Sequence, residues 1–239
     1  MIYCMSDIHG DYDRYINLLN LIQFSNNDTL FFLGDACDRG EQCMQVLLDM
    51  MTRTNVIPIM GNHDYMALRC LCFLRENLSD EQIAAFSAED SLDYSGWIAE
   101  RGRSTITDFM RLSDKDQNRI LMYLRSFSLY QEVDVEDHHL VMTHGDLGNF
   151  SEDKPLSDYT LKELMFSRID YTKRYFRDDN KYLVTGHTPT RLFYQDFFEI
   201  DTNIDRIFVR NHHIAIDCGC GYGGKLCCVR MEDLEPFYL

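Results

Sequence analysis

An α/β fold is predicted by three features of this 239-residue sequence. The first sixty or so residues alternate short apolar runs with amphipathic stretches of helical period, the pattern of βαβ units and a largely parallel sheet. A long, acidic, helical region follows, and the last third returns to strand-like runs. Polar blocks close several of the apolar runs: Asp7-Ile8-His9-Gly10, Gly34-Asp35-Ala36-Cys37-Asp38-Arg39-Gly40, Gly61-Asn62-His63-Asp64, Thr143-His144-Gly145 and Thr185-Gly186-His187.

Met1–Met5 reads as a short buried strand. Arg14–Phe24 reads as a helix, because Ile16, Leu18, Leu19, Leu21 and Ile22 recur at helical spacing. Thr29–Leu33 is the second strand, Cys43–Met51 the second helix and Val56–Met60 the third strand. Residues 66–130 are expected to form a helical insertion without a motif. Within it, Ser79-Asp80-Glu81-Gln82 has the form of a capping box, and Ser113-Asp114 can cap a further helix. Strands are then expected at His139–Thr143, Tyr182–Thr185, Phe197–Ile200, Ile207–Arg210, Ile214–Asp217 and Leu226–Arg230. The later runs follow one another without helices, so the C-terminal third is expected to be antiparallel. No repeat or linker divides the chain, which predicts one domain over residues 1–239.

Composition narrows the function. With 45% hydrophobic residues the chain is an ordinary globular protein, and its net charge of −16 argues against duplex nucleic acid and anionic membrane as partners. The first five residues are too short for a signal-peptide core, and no apolar stretch approaches the ~18 residues of a membrane span. A cytoplasmic location is expected. The nine cysteines lack zinc-knuckle spacing and fall mostly in apolar runs, which predicts buried, reduced thiols.

Asp, His and Asn at strand ends are the donors that two adjacent divalent ions require. Asp7 and His9 can face one ion, and Asp35 is the best candidate for a bridging carboxylate. Asn62, His144 and His187 can complete the shell of the second. Oxygen and imidazole donors suit Mn²⁺, Fe or Zn²⁺. Between ions ~3.5–4 Å apart a bridging water becomes hydroxide near neutral pH and can attack phosphorus in line. His138, His139, His212 and His213 have no partnering carboxylate motif and are expected to be surface or satisfied core residues.

The blocks resemble the signature of the phosphoprotein phosphatase family of calcineurin-like metallophosphoesterases, Gly-Asp-x-His-Gly, Gly-Asp-x-x-Asp-Arg-Gly and Gly-Asn-His-Glu followed by two His motifs. The resemblance is strongest to the compact bacterial and phage-type serine/threonine protein phosphatases. Ile216–Val229 resembles their Gly-rich terminal strand pair. This similarity implies a sandwich of two mixed β-sheets flanked by helices, with metals at the carboxyl ends of the central strands. It implies that Asp7, His9 and Asp35 hold one metal while Asp35, Asn62, His144 and His187 hold the other. His63 is then the general acid, oriented by Asp38, and Arg39 binds phosphate. Leu164-Met165-Phe166-Ser167-Arg168 is similar to the family's Leu-x-Trp-Ser-Arg block, which makes Arg168 a second phosphate clamp. Ser6 replaces a Gly, Asp64 a Glu and Phe166 a Trp. The shorter Asp64 puts the usual contact of that Glu in question.

The implied activity is metal-dependent phosphomonoester hydrolysis on phosphoserine or phosphothreonine in a protein or peptide, with phosphotyrosine as a further substrate. A symmetrical dinucleoside tetraphosphatase uses the same scaffold, and His9 points toward the protein phosphatase branch. A non-catalytic phosphopeptide-binding scaffold would lack a ligand or His63, and every such group is present. Physiological substrate, metal identity and oligomeric state stay open.

Overall fold

The computed structural model describes residues 1–75, 95–198 and 204–239. Two five-stranded sheets form the framework. In the first, β1 (Ile2–Met5), β2 (Thr29–Phe32) and β3 (Val56–Pro58) run parallel, and β9 (Cys227–Arg230) and β10 (Glu235–Tyr238) add antiparallel to β1 in the order β10-β9-β1-β2-β3. In the second, β5 (His138–Thr143), β6 (Lys181–Thr185) and β8 (His213–Ala215) run parallel, with β4 (Tyr130–Val135) and β7 (Phe208–Arg210) antiparallel at the edges. Both sheets are mixed, as expected.

The sheets face one another across an apolar layer. Cys4, Phe31 and Leu33 from the first pack with Leu140, Met142, Val184 and Ile214 from the second. Helices α1 (Tyr12–Leu21) and α2 (Cys43–Met50) cover the outer face of the first sheet. α1 starts where the Asp11 side chain accepts from the Arg14 N–H, and it buries Tyr15, Leu18 and Leu19. α2 buries Cys43, Met44, Val46, Leu47 and Met50. Beyond β3, α3 (Asn62–Arg75) leads into the insertion. The insertion continues with helical backbone at residues 95–99, α4 (Arg103–Phe109) and α5 (Asp114–Arg125), which Ser113 caps. The second sheet carries α6 (Leu161–Met165) and α7 (Thr190–Phe198).

Four expectations change. The helix after β3 begins at Asn62 itself, so Asn62, His63 and Asp64 form a helical first turn. The region expected as a strand at 197–200 is, over Phe197 and Phe198, the end of α7, and 199–203 lie outside the described residues. α7 is the crossover that lets β8 lie parallel to β6, so the C-terminal third is mixed instead of antiparallel. Two further strands, β4 and β10, close sheet edges. The capping box at Ser79 lies outside the described residues. All nine cysteines are free thiols, and all but Cys72 are buried. No helix among the described residues is long and apolar enough to cross a membrane.

Candidate metal centre

The parallel strands β1, β2, β3, β5 and β6 end at one place, and each delivers its polar block there, in keeping with the rule that open α/β sheets build sites beyond the carboxyl ends of their strands. The turns are sharp. Asp7, His9, Asp35, Asp38, Arg39 and His187 all have positive φ, between 48° and 72°. Left-handed backbone costs a non-glycine residue about 1–2 kcal/mol, and six such residues around one point mark a site held in shape by the packing beneath it. Ser6, by contrast, is not among the positive-φ residues, so it stands in for glycine without strain. Gly61 is required by closeness: a Cβ there would lie 2.1 Å from Asp35 Oδ1.

Asp7, His9, Asp35, Asn62, His63 and His144 are all buried. Each carboxylate uses one oxygen on the backbone and turns the other inward. Asp7 Oδ2 accepts from the His187 N–H at 3.0 Å, leaving Oδ1 at 3.8 Å from His9 Nε2. Asp35 Oδ1 accepts from the His63 N–H at 2.9 Å, leaving Oδ2 at 3.6 Å from His9 Nε2 and 3.4 Å from His144 Nε2. Asn62 Oδ1 is 2.9 Å from both His144 Nε2 and His187 Nδ1. Nδ1 of His9 is bonded to the Cys37 carbonyl and Nδ1 of His144 to the Leu33 carbonyl, which fixes their tautomers and aims both Nε2 atoms at the centre. Metal-binding imidazoles are held in this way.

The donor set fits cations. Among the described residues, two groups of donors each lie within 4.8 Å of one another, His9 with Asp35 and His63, and Asp7 with Asp35 and His144. Asp35 is common to both. Burial pulls His9 well below its ordinary pKa and His187 down to about 3, so both present neutral lone pairs. Burial also opposes protonation of His144, yet the Asp35 carboxylate, with help from Asp7, pushes it up to about 10. The field that attracts a proton to His144 is the field that a cation would meet there.

His63 is arranged differently. Its Nδ1 is 2.7 Å from Asp38 Oδ2, and the carboxylates of Asp35 and Asp38 outweigh burial to hold its pKa above the ordinary value. The Arg39 guanidinium donates to Nε2 of His9 and of His63 and to the Tyr222 hydroxyl, and it lies 4.1 Å above the Tyr222 ring. Arg168 is exposed, near enough to His187 for its charge to depress that imidazole.

The short Asp64 keeps a full set of contacts. Its carboxylate accepts from the N–H groups of Asp35, Ala36 and Cys37 at 2.7, 2.9 and 3.1 Å, so it clamps the turn that carries the shared carboxylate. It can reach because it lies in the first turn of α3, directly under that loop. Burial and the nearby Asp35 raise its pKa to about 6.

Several contributors had no role assigned from the sequence. Asp217, after β8, is buried, and burial together with Asp7 raises its pKa well above the usual range. Tyr222 holds Arg39. Trp97 and Thr105 come from the insertion and bond Asp38. Of the remaining histidines, His139 pairs with Asp134 and Glu132 at the surface. His213 departs from expectation: it is buried, and neither ring nitrogen has a hydrogen-bond partner among the described residues.

Known proteins share this architecture. A symmetrical bis(5'-nucleosyl)-tetraphosphatase of Buchnera aphidicola subsp. Schizaphis graminum is 24% identical over 271 residues, covering 99% of this chain and 96% of the relative. A solved candidate diadenosine tetraphosphatase superposes with a TM-score of 0.67 at 16% identity, covering 100% of this chain and 92% of the other. A protein serine/threonine phosphatase from Saccharomyces cerevisiae gives a TM-score of 0.56 at 16% identity, over 100% of this chain and 78% of the other. The expectation that His9 places the chain in the protein phosphatase branch is thus set against matches to tetraphosphatases along nearly the whole chain. The family model for calcineurin-like phosphoesterases matches residues 1–191, and the chain is accordingly a hydrolytic enzyme of the calcineurin-like phosphoesterase family.

Proposed function

We propose that the enzyme uses two divalent ions to hydrolyse a symmetrical dinucleoside tetraphosphate. The observation that carries this reading is the match to proteins of that name along 99% of the chain and 96% of the relative, which includes the insertion and the terminal strands. Asp7, His9 and Asp35 would hold one ion and Asp35, Asn62, His144 and His187 the other. Bound there, the ions supply Lewis acidity toward the phosphoryl oxygens and activate water as the nucleophile.

The residues of the chain supply the rest. Arg39 and Arg168 offer planar guanidinium forks to the phosphate oxygens. A cavity of about 410 Å³ lined by His9, Arg39, Gln42, Arg101 and Gly221 opens beside the centre and has room for the part of the substrate beyond the scissile phosphate. While Arg39 donates to His63 Nε2, that nitrogen carries no proton. A phosphate that draws the guanidinium away frees it for a proton, and His63 can then protonate the leaving oxygen while Asp38 holds its other side.

A second reading, phosphoserine or phosphothreonine hydrolysis, is supported by this His63–Asp38 pair. An alkoxide leaving group needs a proton far more than a nucleoside diphosphate does. A Mn²⁺-supplemented assay that compares dinucleoside polyphosphates with a phosphopeptide panel decides between them. Release of two nucleoside diphosphates, with phosphopeptides at least tenfold slower in kcat/KM, supports the first reading. The reverse ranking supports the second.

Two further results are expected under either reading. Aryl phosphate hydrolysis stops on exhaustive chelation and returns with Mn²⁺; activity that persists in protein shown metal-free by elemental analysis refutes the mechanism. Arg39→Ala and Arg168→Ala retain metal but each lose roughly ten- to a hundredfold in kcat/KM, the consequence of removing a charge-assisted bond of about 1.5–3 kcal/mol. An unchanged rate and unchanged inhibition by free phosphate in Arg168→Ala would remove that residue from the site.

A further inference from the structure

Among the described residues, the insertion places two side chains on Asp38 beside the metal centre. Trp97 Nε1 donates to Asp38 Oδ2 at 2.8 Å, the same oxygen that meets His63 Nδ1 at 2.7 Å. Thr105 Oγ1 donates to Asp38 Oδ1 at 2.6 Å and accepts from the Asp38 N–H at 2.8 Å. Both carboxylate oxygens and the backbone N–H of one residue are thus held by side chains 59 and 67 residues further along the chain. All four groups, Asp38, His63, Trp97 and Thr105, are buried. The segment that carries the two donors is itself fastened down. The Arg39 N–H donates to the Arg101 carbonyl at 3.3 Å, and Asp108 accepts from the Met44 N–H at 2.7 Å. Gly102 packs on the indole so closely that a Cβ there would lie 2.5 Å from the ring.

We propose that Trp97 and Thr105 are positioning residues that fix the Asp38 carboxylate, and through it the imidazole of His63, for proton delivery to the leaving group. The inference rests on the general-acid role given to His63 above and assigns the insertion a part in it. Asp38 has left-handed backbone, with φ of 72°, and local preference alone leaves its carboxylate more than one rotamer. Two donors from outside the loop remove that freedom. A carboxylate that accepts three side-chain bonds presents a single lone-pair direction to His63, and the imidazole ring can then adopt only one orientation. The bonds lie in a site closed to water, where each is stronger than at a surface.

The test uses the metal-loaded enzyme with Trp97→Phe, Thr105→Val and Thr105→Ser, and His63→Asn as reference. Melting temperature and metal content establish that each variant is folded and loaded. Trp97→Phe and Thr105→Val are expected to slow turnover of phenyl phosphate roughly tenfold or more, with p-nitrophenyl phosphate and KM changed far less. Thr105→Ser retains the wild-type rate ratio. In the His63→Asn background the two substitutions cause no further loss, because they act through the group that is gone. An equal loss on both substrates in folded, loaded variants overturns the proposal, as does a loss that adds to that of His63→Asn.

A second readout does not depend on the reaction. With diamagnetic Zn²⁺ bound, the downfield proton resonance of the His63–Asp38 bond, assigned by its disappearance in His63→Asn, is expected to shift in Trp97→Phe and in Thr105→Val. If His63→Asn slows both substrates equally, the general-acid reading fails, and the resonance alone then decides whether the bracing exists. An unchanged resonance refutes the bracing.

Discussion

Asp35→Asn is expected to abolish turnover and to strip the protein of metal, the largest effect of any single substitution at this site. Asp35 is the one residue common to both donor groups, and its inward oxygen lies within 3.6 Å of His9 Nε2 and 3.4 Å of His144 Nε2. Replacing oxygen by an amide nitrogen leaves the shape but removes a charge buried at 2% exposure, where little solvent screens it. The backbone should survive, because Asn tolerates left-handed φ as Asp does, and the φ here is 64°. Metal affinity should fall by well over the roughly 10- to 100-fold typical of changes to residues behind the ligands. Elemental analysis after gel filtration, with circular dichroism as the folding control, reads the result. Two ions per chain in the mutant would show that Asp35 does not join them.

His63→Asn is expected to lower turnover by about 10²–10⁴-fold on substrates with poor leaving groups while the bound metal stays. The imidazole is bonded through Nδ1 to Asp38 and meets Arg39 at Nε2, although His63 and Asn62 are neighbours in the first turn of one helix. Adjacent positions on a helix point about 100° apart, so they serve different parts of the site. p-Nitrophenyl phosphate should respond much less, since its leaving group scarcely needs a proton. The measurement pairs metal content with the alkyl-to-aryl rate ratio. Equal losses on both substrates, or a loss of metal, would refute the general-acid role.

Much of the candidate site was legible in the sequence for a local reason. Asp7, His9, Asp35, Asn62, His144 and His187 each directly follow an apolar run, and a strand end fixes where the next few residues go. Once the strands are parallel neighbours, those ends coincide. The same locality explains the correct expectation of buried thiols, since Cys227 and Cys228 stand inside an apolar run. Asp64 was the informative failure of pattern matching. Read as a shortened Glu it cast doubt on a contact, but the helix that starts at Asn62 brings it close enough for three backbone N–H groups of the Asp35 turn.

The sequence by itself determined the α/β class and brought out the candidate ligands that the fold gathers in one place, because these depend on neighbours a few positions apart. Only the tertiary structure decided the rest. Residues Thr190–Phe198 are rich in aromatics that suit a strand, and they form a helix because β8 must reach the parallel register beside β6. The roles of Trp97 and Thr105 had no local signature at all. A carboxylate at position 38 and its donors at 97 and 105 are joined by a folded surface, and hydrogen bonds between groups so distant in the chain are specified by packing, not by spacing.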